Sequence, residues 1–245
     1  MVILIAFSTF IATLVGGFFA LKLKDKLHLV LGFSAGAVVA VAFFDLLPEA
    51  LSLSAPFYRP TTILTATAVG FLVYLVLDRL IFLHSHSDEP EGGHSSHHAN
   101  KTRGIVGAGS LSLHSFLDGV AIGLAFQVSP AVGAIVAVAV LAHDFSDGIN
   151  TVNLILKNGG DKTFAQKFLF ADAAAPVLGV ISTMFFTLPE SALSLVLAMF
   201  AGFFLYIGAS DLVPESHHAH PRFLTTIMTV IGVAVLFVVI RLASI

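Results

Sequence analysis

Long apolar runs recur along this chain near residues 2–21, 29–50, 61–83, 104–127, 131–156, 168–187, 191–213 and 223–241. Most reach the roughly 20 residues that a helix needs to cross ~30 Å of hydrocarbon. The reading is eight transmembrane helices, hence an all-α integral membrane protein forming a single membrane domain over 1–245. Charge agrees with it. Only 12 Lys/Arg and 15 Asp/Glu occur in 245 residues, too few to coat a water-facing surface, and 57% of the chain is hydrophobic before its 20 glycines are added. A soluble globular enzyme is excluded on that ground, since soluble domains hold ~45–50% apolar residues with glycine included. A net charge of −3 offers no basic stripe for nucleic acid, and zero cysteines remove disulfides, thiolate metal sites and thiol nucleophiles. Pro48, Pro60, Pro130, Pro189 and Pro221 read as turns between the spans.

The first run is uncharged and is followed by Lys22, Lys24 and Lys26. A cleavable signal peptide places its positive charges first, so this segment is expected to stay as a span. The one long hydrophilic insert, 84–103, carries His84, His86, His94, His97 and His98 and reads as a polar loop. Assigning loops alternately to the two faces puts Lys22, Lys24, Lys26, Arg79, Lys101, Arg103, Lys157, Lys162, Lys167 and Arg222 on one side, and Arg59 and Arg241 on the other. The positive-inside rule makes the first side cytoplasmic. Both termini then lie outside a cell (inner or plasma) membrane, with the histidine loop in the cytoplasm.

Residues 34–49, SAGAVVAVAFFDLLPE, align with 200–215, FAGFFLYIGASDLVPE, at a constant offset of 166. The two segments belong to the second and seventh spans and run in opposite directions in this topology. An inverted repeat is therefore expected, helices 1–3 against 6–8 around a central helix 4/5 pair. Such repeats are common in secondary transporters.

The chemistry gathers in that central pair. The fourth span holds His114-Ser-Phe-Leu-Asp118-Gly119 and the fifth His143-Asp144-Phe-Ser-Asp147-Gly148, both H-x-F-x-D-G. A spacing of four puts each His above its Asp on one helix face. A charge at mid-bilayer costs at least ~2.5–3.5 kcal/mol, and Asp118, Asp144 and Asp147 have no Lys or Arg in either span to offset them. A lone intramembrane histidine often serves only as a hydrogen-bonding group between helices. Two such pairs without a basic partner point instead to a bound divalent cation. Imidazole with carboxylate and no sulfur suits Zn²⁺ first, with Fe²⁺, Mn²⁺, Co²⁺ or Cd²⁺ as alternatives. The glycine after each Asp is expected to let these two helices approach closely.

The motifs HSFLDGVAIG and HDFSDG resemble the paired fourth- and fifth-helix signatures of the ZIP (Zrt/Irt-like) metal transporters, here of prokaryotic type. Eight spans, outward termini and a His-rich loop between spans three and four fit that family across essentially the whole chain. The resemblance implies metal uptake into the cytoplasm, most commonly of zinc, with no prosthetic group and with homodimers in several members. Its implied mechanism is an elevator-like motion of a four-helix part against a scaffold. By motif position His114, Asp118, His143 and Asp147 would hold the transported ion, and Asp144 and Ser115 would belong to a second metal position. The chain departs from the pattern in three places. Ala175-Pro176 stands where many prokaryotic members have Glu-Pro, Ser115 replaces the usual Asn, and Asp147 replaces the commoner Glu. One high-affinity site is therefore expected rather than two, with Asp172 the available substitute ligand.

Asp45 and Glu49 close the second span on the outer side, where they could collect cations. Their counterparts Asp211 and Glu215, with His217, His218 and His220, close the seventh span at the cytoplasmic side, where an exit relay would lie. Simple hydration of interfacial carboxylates explains both groups equally well. Two other classes compete with transport. An intramembrane hydrolase would carry His-Glu-x-x-His, which neither His114 nor His143 begins. A sensor or receptor would need an output domain. Neither class accounts for the repeat. A topology map with charge-sensitive reporters is expected to find the 84–103 loop in the cytoplasm; finding it outside overturns the direction of import.

Overall fold

A computed structural model of the chain describes residues 1–19, 27–86, 97–218 and 223–243. Helices α1 (Val2–Phe19), α2 (Leu27–Val41), α3 (Leu47–Ser54), α4 (Pro60–His86), α5 (His97–Val128), α6 (Pro130–Lys157), α7 (Lys162–Thr183), α8 (Glu190–Tyr206), α9 (Val213–His218) and α10 (Phe223–Ala243) follow in order, and no strand occurs among these residues. Seven stretches are long and apolar enough to cross a membrane, beginning with His28–Ser54 and ending with Phe223–Leu242; α1 is apolar throughout but shorter. The protein is an all-α, multi-pass membrane protein.

Local sequence explains most of the breaks. Only Ser129 separates α5 from α6; its side chain accepts the Val132 N–H at 3.2 Å while Pro130 opens the next helix. At the far end of α6, Gly159 takes φ 81° and Gly160 N–H bonds the Ile155 carbonyl at 2.9 Å. That is a glycine-dependent helix stop. Asp161 then caps α7 by accepting the Phe164 N–H at 2.7 Å. This cap sets the start of the sixth span six residues before the expected 168, because Lys162 and Lys167 are accommodated within the helix.

Pro48 does not mark a turn. The chain stays helical from Leu27 to Ser54, passing through a π-helical segment at Ala42–Leu46. A proline inside an α-helix collides with the carbonyl four residues before it, here that of Phe44. The wider π turn covers that position, and Leu47 N–H bonds the Ala42 carbonyl instead. The same device occurs at Ile207–Leu212 ahead of Pro214, with Val213 N–H on the Gly208 carbonyl. Both bonds sit at the offset of 166 that relates the two D-L-x-P-E motifs.

The 84–103 insert is also shorter than expected. His84–His86 extend α4 and His97–Arg103 begin α5, while residues 87–96 lie outside the described set. Lys22, Lys24, Lys26, His220 and Arg222 lie outside it too, as do the side chains of His84, His86, His97, His98, Asp211, Glu215, His217 and His218.

The helices pack as two groups. In one, α5 lies on α6 and α7 while α1 lies on α6 and α7; in the other, α2 lies on α10 and α4 and α3 lie on α8. The groups meet chiefly where α2 crosses α6 and where α4 and α8 touch α5. Lipid-facing positions such as Leu4, Leu72, Leu178, Val230 and Leu242 are exposed and apolar. Alanines 35, 37 and 40 and Val38 fill the contact between helices.

Glycines permit the closest approaches, though not the one expected. A Cβ on Gly119 would overlap the Pro176 carbonyl of α7, and one on Gly179 would overlap the Phe116 carbonyl of α5. Likewise Gly148 faces the Thr13 carbonyl of α1 and Gly16 the Phe145 carbonyl of α6. The glycine after each site Asp therefore draws in a flanking helix rather than joining α5 to α6. Gly119→Val is expected to lower the thermal stability of the detergent-solubilised protein by about 1–3 kcal/mol. Gly109→Ala, inside α5 with nothing within 4 Å of the new Cβ, should hold the melting temperature or raise it slightly.

Candidate metal centre

The helical spacing and the one-residue turn bring the two H-x-F-x-D-G motifs face to face. His114 Nε2 lies 3.2 Å from Asp118 Oδ2, and His143 Nε2 lies 3.2 Å from the same oxygen. Asp147 Oδ2 is 3.6 Å from His114 Nε2 and 3.9 Å from His143 Nε2. One donor atom from each of His114, Asp118, His143 and Asp147 falls within 4.8 Å of all the others, and all four residues are buried. A tetrahedral zinc ion with bonds of ~2.0–2.1 Å spaces its ligand atoms roughly 3.3–3.4 Å apart. The cluster thus has nearly the dimensions of a four-ligand cage.

Hydrogen bonds on the far side of each ring aim it. His143 Nδ1–H donates to the Ala139 carbonyl one turn earlier at 2.9 Å, and His114 Nδ1 is hydrogen-bonded to the Tyr74 hydroxyl at 2.7 Å. Aromatic rings from α8 form one wall. Phe204 meets His143 edge-on with centroids 6.4 Å apart, and Phe203 packs on Tyr74 at 5.5 Å. Asp147 Oδ2 is buried without a hydrogen-bond partner among the described residues. A buried polar atom left unpaired is expensive, and a cation in the cage would satisfy it.

The remaining candidates separate from this cluster. Asp144 is fully buried with neither carboxylate oxygen hydrogen-bonded among the described residues, and it is not part of the four-residue group. Ser115 and Asp172 are bonded to each other: Ser115 Oγ donates to Asp172 Oδ1 at 2.8 Å, and Thr151 Oγ1 donates to Asp172 Oδ2 at 2.8 Å. Asp172 therefore ties α7 to both α5 and α6. Asp45 is buried in the first π segment with its Oδ2 unpaired among the described residues, and Glu49 is half-buried one turn on. Neither joins the cluster.

Two residues of this neighbourhood escaped the reading of the sequence, Tyr74 and Thr151. Tyr74 did leave a signal. The chain uses 23 phenylalanines and 3 tyrosines, so a hydroxyl in mid-span needs a polar partner. Thr151 left none, because its partner lies on another helix 21 residues away.

A helical membrane domain with two histidines and two aspartates converging between adjacent helices defines a class of metal-handling membrane protein. The model of the ZIP zinc transporter family matches residues 83–240, and the chain belongs to that family. Its members are transporters rather than enzymes, which removes the hydrolase alternative. The zinc transporter ZIP13 of Mus musculus is 24% identical over 226 residues, covering 78% of this chain and 62% of the relative. The zinc transporter foi of Drosophila melanogaster is 29% identical over 139 residues, 55% of this chain and 19% of the relative. The metal cation symporter ZIP14 of Xenopus tropicalis is 35% identical over 105 residues, 42% of this chain and 22% of the relative. The chain thus spans less than two thirds of the length of each of these relatives.

Replacing Asp172 by Ala strands two buried hydroxyls and is expected to cost about 1–3 kcal/mol. Asp172→Asn keeps one acceptor oxygen and should lose less, as read by thermal unfolding in detergent.

Proposed function

We propose that this protein carries divalent transition-metal ions across a cell membrane, Zn²⁺ first among them, with Fe²⁺, Mn²⁺, Co²⁺ and Cd²⁺ as further candidates. The observation that carries the reading is the cage itself. Four donor atoms from His114, Asp118, His143 and Asp147 lie within 4.8 Å of one another among buried residues. Two carboxylates there need a counter-charge, and the ion pairs among the described residues involve only these histidines, not Lys or Arg. A divalent ion supplies the charge. The names of the relatives, zinc transporters and a metal cation symporter, support the same cargo.

The site takes one ion at a time. Asp172 is engaged by Ser115 and Thr151, and Ala175 stands where the resemblance to prokaryotic family members implies a Glu-Pro carboxylate. Asp144 adds negative charge beside the cage and is the remaining candidate for a weaker second contact. Binding requires neutral imidazole and ionised carboxylate, so uptake releases protons and slows as pH falls. The ion's gradient, the membrane potential acting on a 2+ charge, or coupled protons would drive transport.

The path runs from outside to the cytoplasm, following the asymmetry of Lys and Arg. Asp45 and Glu49 collect ions at the outer end, and Asp211, Glu215, His217 and His218 receive them at the inner end. Alternating access arises from an elevator-like shift of the α1/α5/α6/α7 group against the group built on α2, α4, α8 and α10, and the working unit is a homodimer. The histidines of the 84–103 loop capture metal weakly and are dispensable for transport.

Proteoliposomes enclosing a zinc-sensitive dye test the reading. Wild-type protein is expected to carry Zn²⁺, and His114→Ala and Asp147→Ala to lose at least about tenfold of the flux, since even outer-shell changes cost ~10–100-fold. Flux indifferent to both substitutions sinks the site; no flux with Zn²⁺, Fe²⁺, Mn²⁺ or Co²⁺ sinks the function.

A further inference from the structure

Both histidines of the cage present Nε2 to the carboxylates. A metal-bound imidazole keeps its other N–H against an acceptor, and that outer contact fixes the tautomer and the angle of the ring. The two rings obtain it in different ways. For His143 the acceptor is the Ala139 carbonyl, 2.9 Å away on the same helix. That bond travels with α6 whatever α6 packs against. For His114 the partner is the Tyr74 hydroxyl at 2.7 Å, and Tyr74 belongs to α4, which packs mainly on α8 in the other helix group. The phenol is itself rigidly placed. Its ring meets Phe203 at 5.5 Å and Tyr206 at 5.3 Å, and it stands edge-on to His114 at 5.9 Å and 85°.

We propose that Tyr74 is a positioning residue for the cargo ion: its oxygen accepts the His114 Nδ1–H, reserves the Nε2 lone pair for the metal, and makes the complete cage depend on contact between α4 and α5. The proposal rests on the transport reading above and deepens it. Displacing one helix group along the other parts Tyr74 from His114 and leaves His143 on Ala139. The cage is then tightest in the registry seen here and looser once the groups shift, which gives the ion a reason to leave. A second hydrogen bond crosses the same boundary beside the other ligand helix position, from Ser34 Oγ to the carbonyl of Ala142, the residue before His143.

The test measures Cd²⁺ and Zn²⁺ affinity by calorimetry on the whole protein in detergent. Tyr74→Phe keeps the ring and its stacking and removes one oxygen. It is expected to weaken binding ~10–100-fold while the metal-free protein still unfolds cooperatively, at a modestly lower melting temperature because the buried His114 Nδ1 loses its partner. In proton spectra of the Cd²⁺-bound protein, the His114 Nδ1–H signal should move upfield when the phenol is lost. Phe203→Leu disturbs the same ring stack without touching the hydroxyl and should bind as wild type does. Wild-type affinity in Tyr74→Phe overturns the proposal, and so does an equal loss in Phe203→Leu, which would assign the effect to packing. His114→Ala tests the underlying reading separately. If it binds metal as tightly as wild type, or wild type binds none, the transport reading fails and takes this inference with it.

Discussion

A carboxylate enclosed by apolar helices has to be neutralised by a proton, a basic side chain or a cation. Here no Lys or Arg lies within the spanning stretches 104–127 and 131–156 of the two ligand helices, and two carboxylates share their space with two imidazoles. The surrounding architecture serves that arrangement. The hairpin of α5 and α6 supplies all four donor atoms, Asp172 braces it through Ser115 and Thr151, and rings on α8 close one side. The glycines that follow the site aspartates bring α7 and α1 against the backs of the ligand helices. Burial of the charged cluster therefore comes from its neighbours, while its geometry comes from the hairpin.

The parts of this organisation that depend on local spacing were legible in the sequence. Histidine and aspartate four apart on a helix must share a face, and the doubled motif is where the four-residue cluster forms. Helix starts at Pro60 and Pro130 follow from proline's fixed φ and missing N–H, and Pro189 stands just before α8. Pro48 misled for a physical reason: a π turn can absorb a proline that would otherwise end a helix, and hydropathy carries no trace of it. The partners of Gly119 and Gly148 were equally out of reach, because a small residue announces a close approach without saying to what. Tyr74 and Thr151 act through contacts between helices distant in sequence, and only tertiary packing pairs them with His114 and Asp172.

The two π segments coincide with the repeated motif. Each takes in the Asp and Leu of D-L-x-P-E and covers the carbonyl that the following proline would strike; the first also touches α6, and the second packs on α2. Wide turns of this kind are frequent where a helix must do something other than stand straight. Asp45 is carried on one of them, buried, with its Oδ2 unpaired among the described residues. Sequence and helical irregularity therefore match at the same offset.

The single residue between α5 and α6 has a consequence for how such a protein is made. Every donor atom of the four-residue cluster lies within residues 114–147, on two helices that can enter the bilayer as one hairpin. Contacts this local form early and at low entropic cost. The charges least welcome in lipid therefore enter it already paired with one another, and the cage needs no distant segment of the chain to assemble its donors. The flanking helices that later enclose it find a centre already shaped for them.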